Sequence, residues 1–212
     1  MGTQILDAPV QTKTATTGTE TTATGTEAAA TGTETNWTLD AVHSAVQFSI
    51  RHMMIANARG VFKNVKSNLR LNTEDITKSY VDAIIETDSV DTHIVDRDNH
   101  LKSPDFFDVA NHPAITFSSK AFKQVAPGEL KITGDLTIKG VTKEVVLDVE
   151  GPSPEMKDPY GNVKLALSGT TKINRNDFGL GFNAILEAGG VMLGEQVTLT
   201  IDAEYGKVNP LV

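Results

Sequence analysis

Eight stretches of this chain alternate apolar and polar residues with a period of two, and no other feature limits its fold as strongly. The clearest stretch spans residues 130–138, where Leu, Ile and Gly alternate with Lys, Thr and Asp. Successive side chains of a β-strand point to opposite faces, so every apolar residue of such a stretch lies on one side. The pattern predicts antiparallel strands with one buried face. The eight stretches are residues 46–50, 65–71, 81–85, 115–117, 130–138, 145–149, 163–173 and 197–205.

One segment between the third and fourth strands breaks this rhythm. Residues 92–110 favour a helical crossover, with a second helix start at Ser103 as N-cap and Pro104 in the first helical position. The predicted fold is therefore all-β, with about eight antiparallel strands and a helical insertion between strands three and four. Eight strands can close into a barrel that is filled by side chains or holds one ligand. A two-sheet sandwich is the alternative.

The first 36 residues differ sharply in composition from the rest. They contain 13 Thr and repeat the sequence Thr-Gly-Thr-Glu at residues 17–20, 24–27 and 31–34. Such a segment buries too little apolar surface to offset its ordering entropy. We expect residues 1–36 to form a disordered Thr-rich tail and residues 37–212 to form the barrel domain.

Charge and composition exclude several classes of protein. The net charge of −8 argues against nucleic acid and anionic membrane surfaces as main partners. No apolar run is long enough to span a bilayer, so no integral membrane segment is expected. The first 30 residues lack the basic and apolar regions of a signal peptide, which predicts a cytoplasmic protein. A periplasmic location is the alternative if the natural N-terminus differs.

Motifs for catalysis and metal binding are sparse. The chain has no cysteine, no G-x-S-x-G, no H-E-x-x-H and no pair of histidines four residues apart. We therefore expect no catalytic residues, no cofactor and no metal. A metal site assembled from distant strands is the alternative.

Two polar clusters stand out from this background. Residues 97–100, Arg-Asp-Asn-His, lie on the predicted helix, and residues 174–179 contain Asn174 and Arg175 in a loop between strands. Arginine suits both structural pairs with carboxylates and the head group of a ligand. Both interpretations stay open at this point.

Small residues interrupt the apolar faces of the strands, at Ala83, Gly134, Gly169 and Ala203. Small residues among large ones can fit a tapering solid core. They can equally leave an elongated apolar cavity, which with a few polar groups at one end would select a lipid-like ligand. The pattern does not choose between a packed and a hollow barrel.

Five motifs, in order along residues 37–212, resemble those of the YceI-like family. The motifs are Trp37-x-Leu39-Asp40-x-x-His43-Ser44-x-Val46-x-Phe48-x-Ile50-x-His52, Arg59-Gly60-x-Phe62, Arg97-Asp98-x-His100-Leu101-x-Ser103-x-Asp105-Phe106-Phe107-Asp108 with Pro113-x-Ile115-x-Phe117, Gly134-x-Leu136-x-Ile138-x-Gly140-Val141-Thr142, and Asn174-Arg175-x-Asp177-Phe178-Gly179.

The resemblance implies an extended lipocalin-like barrel that binds, without catalysis, a polyisoprenoid or similar long amphiphile, such as an isoprenoid quinone or its precursor. Inward strand positions would then line an apolar tunnel. These positions are Phe48, Ile50, Phe117, Ile132, Leu136, Val145, Leu147, Leu165, Leu167, Val197, Leu199 and Ile201.

The polar residues of the motifs become candidates for the ligand's head group, and Arg97 and Asp98 are the first choice because they lie on the one irregular element. The full set of candidates is His43, His52, Arg59, Arg97, Asp98, His100, Asn174 and Arg175. Two further hypotheses stay open. One is a packed barrel that serves as an interaction module, and the other is an enzyme that uses His43, Asp98 or His100 on a hydrophobic substrate. A homodimer through the outer strand faces is also open.

Overall fold

The computed structural model describes residues 34–185 and 190–208, and these ranges contain one α-helix and twelve strands. The predicted tail lies almost wholly outside the described residues, although its last three residues belong to the first strand. The elements are β1 Glu34–Leu39, β2 Ala45–His52, β3 Ala56–Phe62, β4 Val65–Asn72, β5 Tyr80–Glu86, β6 Val90–Asp91, α1 Val95–Lys102, β7 Ala114–Ala126, β8 Glu129–Ile138, β9 Val141–Glu150, β10 Met156–Lys157, β11 Val163–Asn174 and β12 Leu193–Lys207.

All of the strands pair antiparallel, and the sheet closes on itself through β12. One edge of β12 pairs with β11 over eleven consecutive residues, Gln196–Gly206. Its other edge pairs with β2 and, farther along, with β1. The remaining ladders run from β1 through β4, β5, β7, β8 and β9 back to β11. The predicted all-β barrel is therefore confirmed, and a two-sheet sandwich is excluded.

Three of the barrel's long strands are interrupted near their middle. Residues 40–44 separate β1 from β2, residues 63–64 separate β3 from β4, and residues 87–89 separate β5 from β6. The two halves of one interrupted strand lie end to end beside the two halves of the next. β1 pairs with β4, and β2 pairs with β3. Counting each interrupted pair once and leaving out the two-residue strand β10, the wall has the eight strands that the sequence pattern predicts.

The helix lies between β6 and β7, as expected from the sequence, but it is shorter than predicted. It ends at Lys102, and the prediction of a second helix start at Ser103 is wrong. Ser103 is instead the C-cap, where its backbone N–H and its hydroxyl both donate to the carbonyl of His100. Pro104 disfavours helical backbone in the residue before it, and Ser103 is extended with ψ 169°. Hydrogen-bonded turns lead from there to β7.

The inward side of the wall carries the core, which includes Trp37, Leu69, Phe122, Leu165 and Tyr205. Outward positions of the same strands are mostly exposed, for example Lys131 and Val146. The burial pattern of β8 alternates along its whole length. The period-two pattern of the sequence therefore corresponds to the inside and the outside of the barrel.

The packing around Gly134 explains why this inward position has no side chain. A Cβ at this position would lie 2.5 Å from the Phe117 ring and 2.6 Å from the carbonyl oxygen of Ser118. The ring of Phe117 therefore occupies the space that a side chain at residue 134 would need. Gly169 differs, because its nearest neighbours would be at ordinary contact distance and it borders open space inside the barrel.

Replacing Gly134 with alanine should lower the free energy of unfolding by about 1–3 kcal/mol, because the added methyl group overpacks against Phe117. Urea unfolding measures the change. Gly206→Ala in β12 is the matched control, since its Cβ would meet nothing closer than 4.0 Å. The control should leave stability unchanged or slightly raised. Equal effects of the two substitutions would contradict this account.

Candidate functional site

The interior of the barrel holds two apolar cavities. The first, called here the lower cavity, has a volume of about 130 Å³ and is walled by inward residues of β4, β5, β7, β8, β9, β11 and β12. Eight of the predicted tunnel residues line it. They are Phe117, Ile132, Leu136, Val145, Leu147, Leu167, Leu199 and Ile201.

The few polar side chains of the lower cavity include a pair that is bonded within the protein. The hydroxyl oxygens of Tyr205 and Ser67 are 2.8 Å apart, and the Ser67 hydroxyl donates to the backbone carbonyl of Asp82 at 2.5 Å. Burial raises the pKa of the Tyr205 phenol, which keeps it protonated. The pair therefore directs no unpaired hydrogen-bonding group at the cavity, and the lower cavity presents an apolar surface.

The second, upper cavity has a volume of about 240 Å³ and lies between the barrel wall, α1 and the segment after β11. Phe48, Ile50 and Val197 from the predicted tunnel set line it. Val46, Ile85, Leu136 and Leu199 line both cavities, so the two chambers share one stretch of wall. Together they reach the lower end of the roughly 300–1,000 Å³ range of small-molecule sites.

Leu165 is the one predicted tunnel residue that lines neither cavity. It is buried in the packed core, where it is paired with Tyr205 of β12. Strand alternation predicts that Leu165 points inward, and this holds. It does not predict which inward positions meet other side chains and which meet open space.

The upper cavity gathers the polar residues of the family motifs. His52, Arg59, Arg97, His100 and Arg175 all line it. The side chains of Arg59 and His52 make no hydrogen bond or ion pair with any described residue. Both chambers are thus mainly apolar, but the upper one has basic side chains in its wall and the lower one has none.

Arg97 and Asp98, although adjacent in sequence, have different roles. Asp98 accepts hydrogen bonds from the backbone N–H and the hydroxyl of Thr92, at 2.8 and 2.6 Å, and it does not line the cavity. Arg97 donates from Nε and Nη2 to the same threonine. Its Nη1 has no partner among the described residues. Asp98 therefore fastens the start of α1 to β6, while Arg97 keeps a charged donor for the cavity.

Arg175 is 3% exposed and uses its guanidinium to hold the segment after β11. Nε donates to the carbonyl of Gly194 at 2.9 Å, and Nη1 donates to the carbonyls of Leu180 and Phe182. Burial lowers the pKa of this guanidinium. Nε and Nη1 of Arg175 therefore serve the fold, whereas Nη2 has no partner among the described residues.

The aromatic residues of the upper cavity were only partly foreseen. The His100 ring packs edge-on against Phe106 and Phe182, with centroids 5.0 and 4.7 Å away, and its Nε2 lies 2.9 Å from Oδ2 of Asp105. Sequence reasoning missed Phe182 because this residue lies outside the alternating strand stretches. The alternation of Leu180 and Phe182 with glycine was the available signal, and both residues line the cavity.

His43 lies away from both cavities, so the structure does not bring it to the predicted head-group site. Its Nδ1 is 3.1 Å from Asp40 and 3.8 Å from Glu204, a grouping of ligand types that can bind a metal ion. The ammonium of Lys164 already contacts both carboxylates, at 2.5 Å from Asp40 and 3.2 Å from Glu204. This cluster therefore carries its own cation and ties β12 to β11 and the end of β1.

The comparisons with known proteins agree with this architecture. The model of the YceI-like domain matches residues 37–205, and this chain belongs to that family. A UPF0312 protein of Staphylococcus epidermidis is 40% identical over 173 residues, which cover 81% of this chain and 97% of the relative. A UPF0312 protein of Staphylococcus aureus is 39% identical over the same shares.

Solved structures show the same barrel. The YCEI protein of Campylobacter jejuni is 30% identical, with a TM-score of 0.64 over 76% of this chain and 91% of that one. BcnA of Burkholderia cenocepacia has a TM-score of 0.67 at 20% identity, over 78% and 98% of the two chains. A polyisoprenoid binding domain from Saccharophagus degradans has a TM-score of 0.59 at 15% identity, over 81% and 98%. The last two likenesses concern the fold alone.

The helix α1 is too short and too polar to cross a membrane, and no other helix in the described part of the chain could do so.

The contact between Asp40 and Lys164 predicts a pH-dependent stability. The hydrogen bond from Lys164 holds the pKa of the Asp40 carboxyl far below its usual 3.8, and the same contact raises the pKa of Lys164. The unfolded chain therefore binds a proton at Asp40 before the folded protein does. The stabilisation should be complete at neutral pH and should fall as pH drops below about 3.8 toward the folded pKa.

Asp40→Asn should accordingly destabilise the protein at pH 7, and its difference from the wild type should shrink in acid. Urea unfolding at a series of pH values measures this difference. Asp148→Asn is the control, because that carboxylate pairs with Lys131 on the outer surface, where ion pairs contribute little. A difference for Asp40→Asn that stays constant with pH would contradict the assignment.

Proposed function

We propose that this protein binds, transports or stores a polyisoprenoid or a similar long-chain amphiphile, such as an isoprenoid quinone or its precursor, without chemically changing it. The observation that carries the proposal is the pair of adjacent cavities that share wall residues, the lower one apolar and the upper one with cationic side chains at its wall. An amphiphile has the same division between an apolar tail and a polar head.

The tail would extend past the shared residues into the lower cavity. Removing an apolar chain from water gains about 25 cal/mol per Å² of buried surface, before the costs of association. Because Tyr205 and Ser67 are hydrogen-bonded to each other, these two hydroxyls do not lose a partner when such a chain binds. Binding of the tail therefore needs apolar contact alone.

The head group would lie in the upper cavity, beside Arg59 and Nη1 of Arg97. Hydrogen bonds from a cationic donor to a carbonyl or phosphate oxygen are among the stronger ones in proteins. The neighbour from Saccharophagus degradans is a polyisoprenoid-binding domain with the same barrel, which supports this class of ligand. Head groups of the quinone type and of the phosphate type both fit these donors.

Two competing hypotheses fit the structure less well. A packed barrel that serves only for interaction leaves the two cavities without a purpose. An enzyme with His43, Asp98 or His100 as acid or base would need these groups beside the substrate. His43 and Asp98 line neither cavity, so of the three only His100, which lies 2.9 Å from Asp105, would be beside a ligand in the upper cavity.

Filling the lower cavity should prevent binding of the tail. Leu147→Trp on β9 places a large ring in that cavity, whereas Val146→Trp adds the same ring to the outer face of the same strand. The purified proteins are analysed by native mass spectrometry, then by solvent extraction and lipid identification. We expect the wild type and Val146→Trp to carry lipid and Leu147→Trp to carry much less.

Leu147→Trp should cost about 1–3 kcal/mol of stability through overpacking, so urea unfolding must first show that the variant folds. Leu136→Trp, at the wall shared by the two cavities, is the second variant should the first be unstable. Equal lipid content in a folded inner variant and in Val146→Trp would exclude the barrel interior as the binding site.

Arg59 offers a test of the head group because it makes no contact that holds the fold together. Arg59→Gln should weaken binding of a prenyl phosphate by about tenfold or more, since a charge-assisted hydrogen bond contributes roughly 1.5–3 kcal/mol. Binding of a neutral prenyl quinone should weaken less. Fluorescence titration of both lipids measures the two affinities. An unchanged affinity for both would show that the head group lies elsewhere.

A further inference from the structure

The turn between β2 and β3 exposes three consecutive apolar side chains. Met53, Met54 and Ile55 are 43%, 58% and 78% exposed, and together they are called here the hairpin tip. Soluble proteins scatter single apolar residues over their surfaces, whereas a contiguous apolar projection marks a site of interaction.

The backbone of the hairpin tip shows that its methionines do not serve the turn itself. The N–H of Ile55 donates to the carbonyl of His52, and the two central residues, Met53 and Met54, have φ angles of 49° and 62°. Turns with two positive φ angles strongly favour Asn-Gly, because most side chains are strained there. The sequence therefore keeps two exposed methionines at a cost in conformational energy, which points to a function.

The charge of the hairpin is opposite to that of the whole protein. Residues 50–60 contain Arg51 and Arg59 and no acidic residue, although the net charge of the chain is −8. Both arginines are exposed, and their guanidinium groups pair with no carboxylate among the described residues. A cationic surface thus flanks the apolar tip.

The hairpin tip adjoins the upper cavity. The N–H of Met53 donates to the carbonyl of Met192 at 2.7 Å, and Met192 lines that cavity. His52 and Arg59, on the two strands of the same hairpin, line it as well. A surface that binds the tip would therefore lie next to the polar chamber.

We propose that the hairpin tip docks this protein onto an anionic lipid bilayer. The apolar side chains of Met53, Met54 and Ile55 enter the boundary between head groups and acyl chains, and Arg51 and Arg59 face the lipid phosphates. A short apolar projection flanked by cations suits this boundary, where one part of the partner is apolar and the other is negatively charged.

The inference goes beyond the proposed function, because it assigns a surface and a partner outside the cavities. It gives the upper cavity a direct route to the bilayer, along which an amphiphile exchanges without crossing water. Docking can be measured on the purified full-length chain without knowing what the cavities hold.

The test is flotation of the protein with vesicles of phosphatidylcholine alone or mixed with phosphatidylglycerol. The wild type should float with the mixed vesicles. The double variant Met53→Asn and Met54→Gly should bind them at least about tenfold more weakly, since two apolar side chains are lost from the interface. Asn-Gly suits this turn, so the variant should be at least as stable as the wild type.

Two matched controls separate the hairpin tip from the rest of the surface. Val42→Asn removes an apolar side chain that is 86% exposed elsewhere, and it should bind vesicles as the wild type does. Arg51→Gln should weaken binding to mixed vesicles by about fivefold for the one charge removed. Arg70→Gln removes a cation that lies over the Tyr80 ring, and it should not weaken binding to the vesicles.

The proposal is overturned if the wild type floats with neither kind of vesicle, or if the Asn-Gly variant floats as the wild type does. Equal losses in Val42→Asn and in the Asn-Gly variant would also overturn it. Lipid extraction from the Asn-Gly variant keeps the two proposals separate, since Met53 and Met54 line neither cavity. Retained lipid with lost flotation in this variant supports docking, and a wild type that floats but carries no lipid counts against the proposed cavity ligand alone.

Discussion

The pairing of β12 with neighbours on both of its edges is the constraint on which the whole barrel depends. Its ladder with β11 runs without interruption for eleven residues, while its opposite edge joins β2 and β1 in turn. A register shift of one residue would turn every inward side chain of β12 toward solvent. Leu199, which separates the two cavities, and Tyr205, which belongs to the lower one, both depend on this register. The pairing register of β12 therefore determines both the closure of the barrel and the shape of its interior.

The chemical difference between the two chambers follows from which elements build them. The lower chamber is walled by strands apart from Ser44, and strands of alternating pattern supply apolar side chains to the inside. The upper chamber also meets α1 and the segment after β11, and irregular elements are not bound to that alternation. They bring Arg97, His100 and Phe182 to the cavity. The buried guanidinium of Arg175 secures this segment through three backbone carbonyls.

Alternation in the sequence predicted the antiparallel strands and the inward face of each, and the break in it predicted the position of the helix, because these depend on local periodicity. The family resemblance, not the alternation, favoured the barrel over a sandwich. What the sequence could not show depends on contacts between distant residues. The need for glycine at residue 134 comes from the ring of Phe117, and the place of Leu165 comes from packing against β12. Ser103 was misassigned because a serine before a proline suits a helix start as well as a helix end. The family motifs grouped the polar residues of the upper cavity, but His43 belongs to a separate ion-pair cluster.

Because of the three interrupted strands, the two sides of the barrel wall differ in stiffness. On the side formed by β7, β8 and β9, ladders are long and nearly continuous. On the opposite side, the interruptions at residues 40–44, 63–64 and 87–89 lie on adjacent strands, and Val46 and Ile85 of the wall between the chambers lie beside them. Fewer ladder hydrogen bonds make this side easier to bend than the sheet of β7, β8 and β9. The ladder between β9 and β11 is only three residues long, so an oversized guest would open the wall along these two lines and leave β7, β8 and β9 in place.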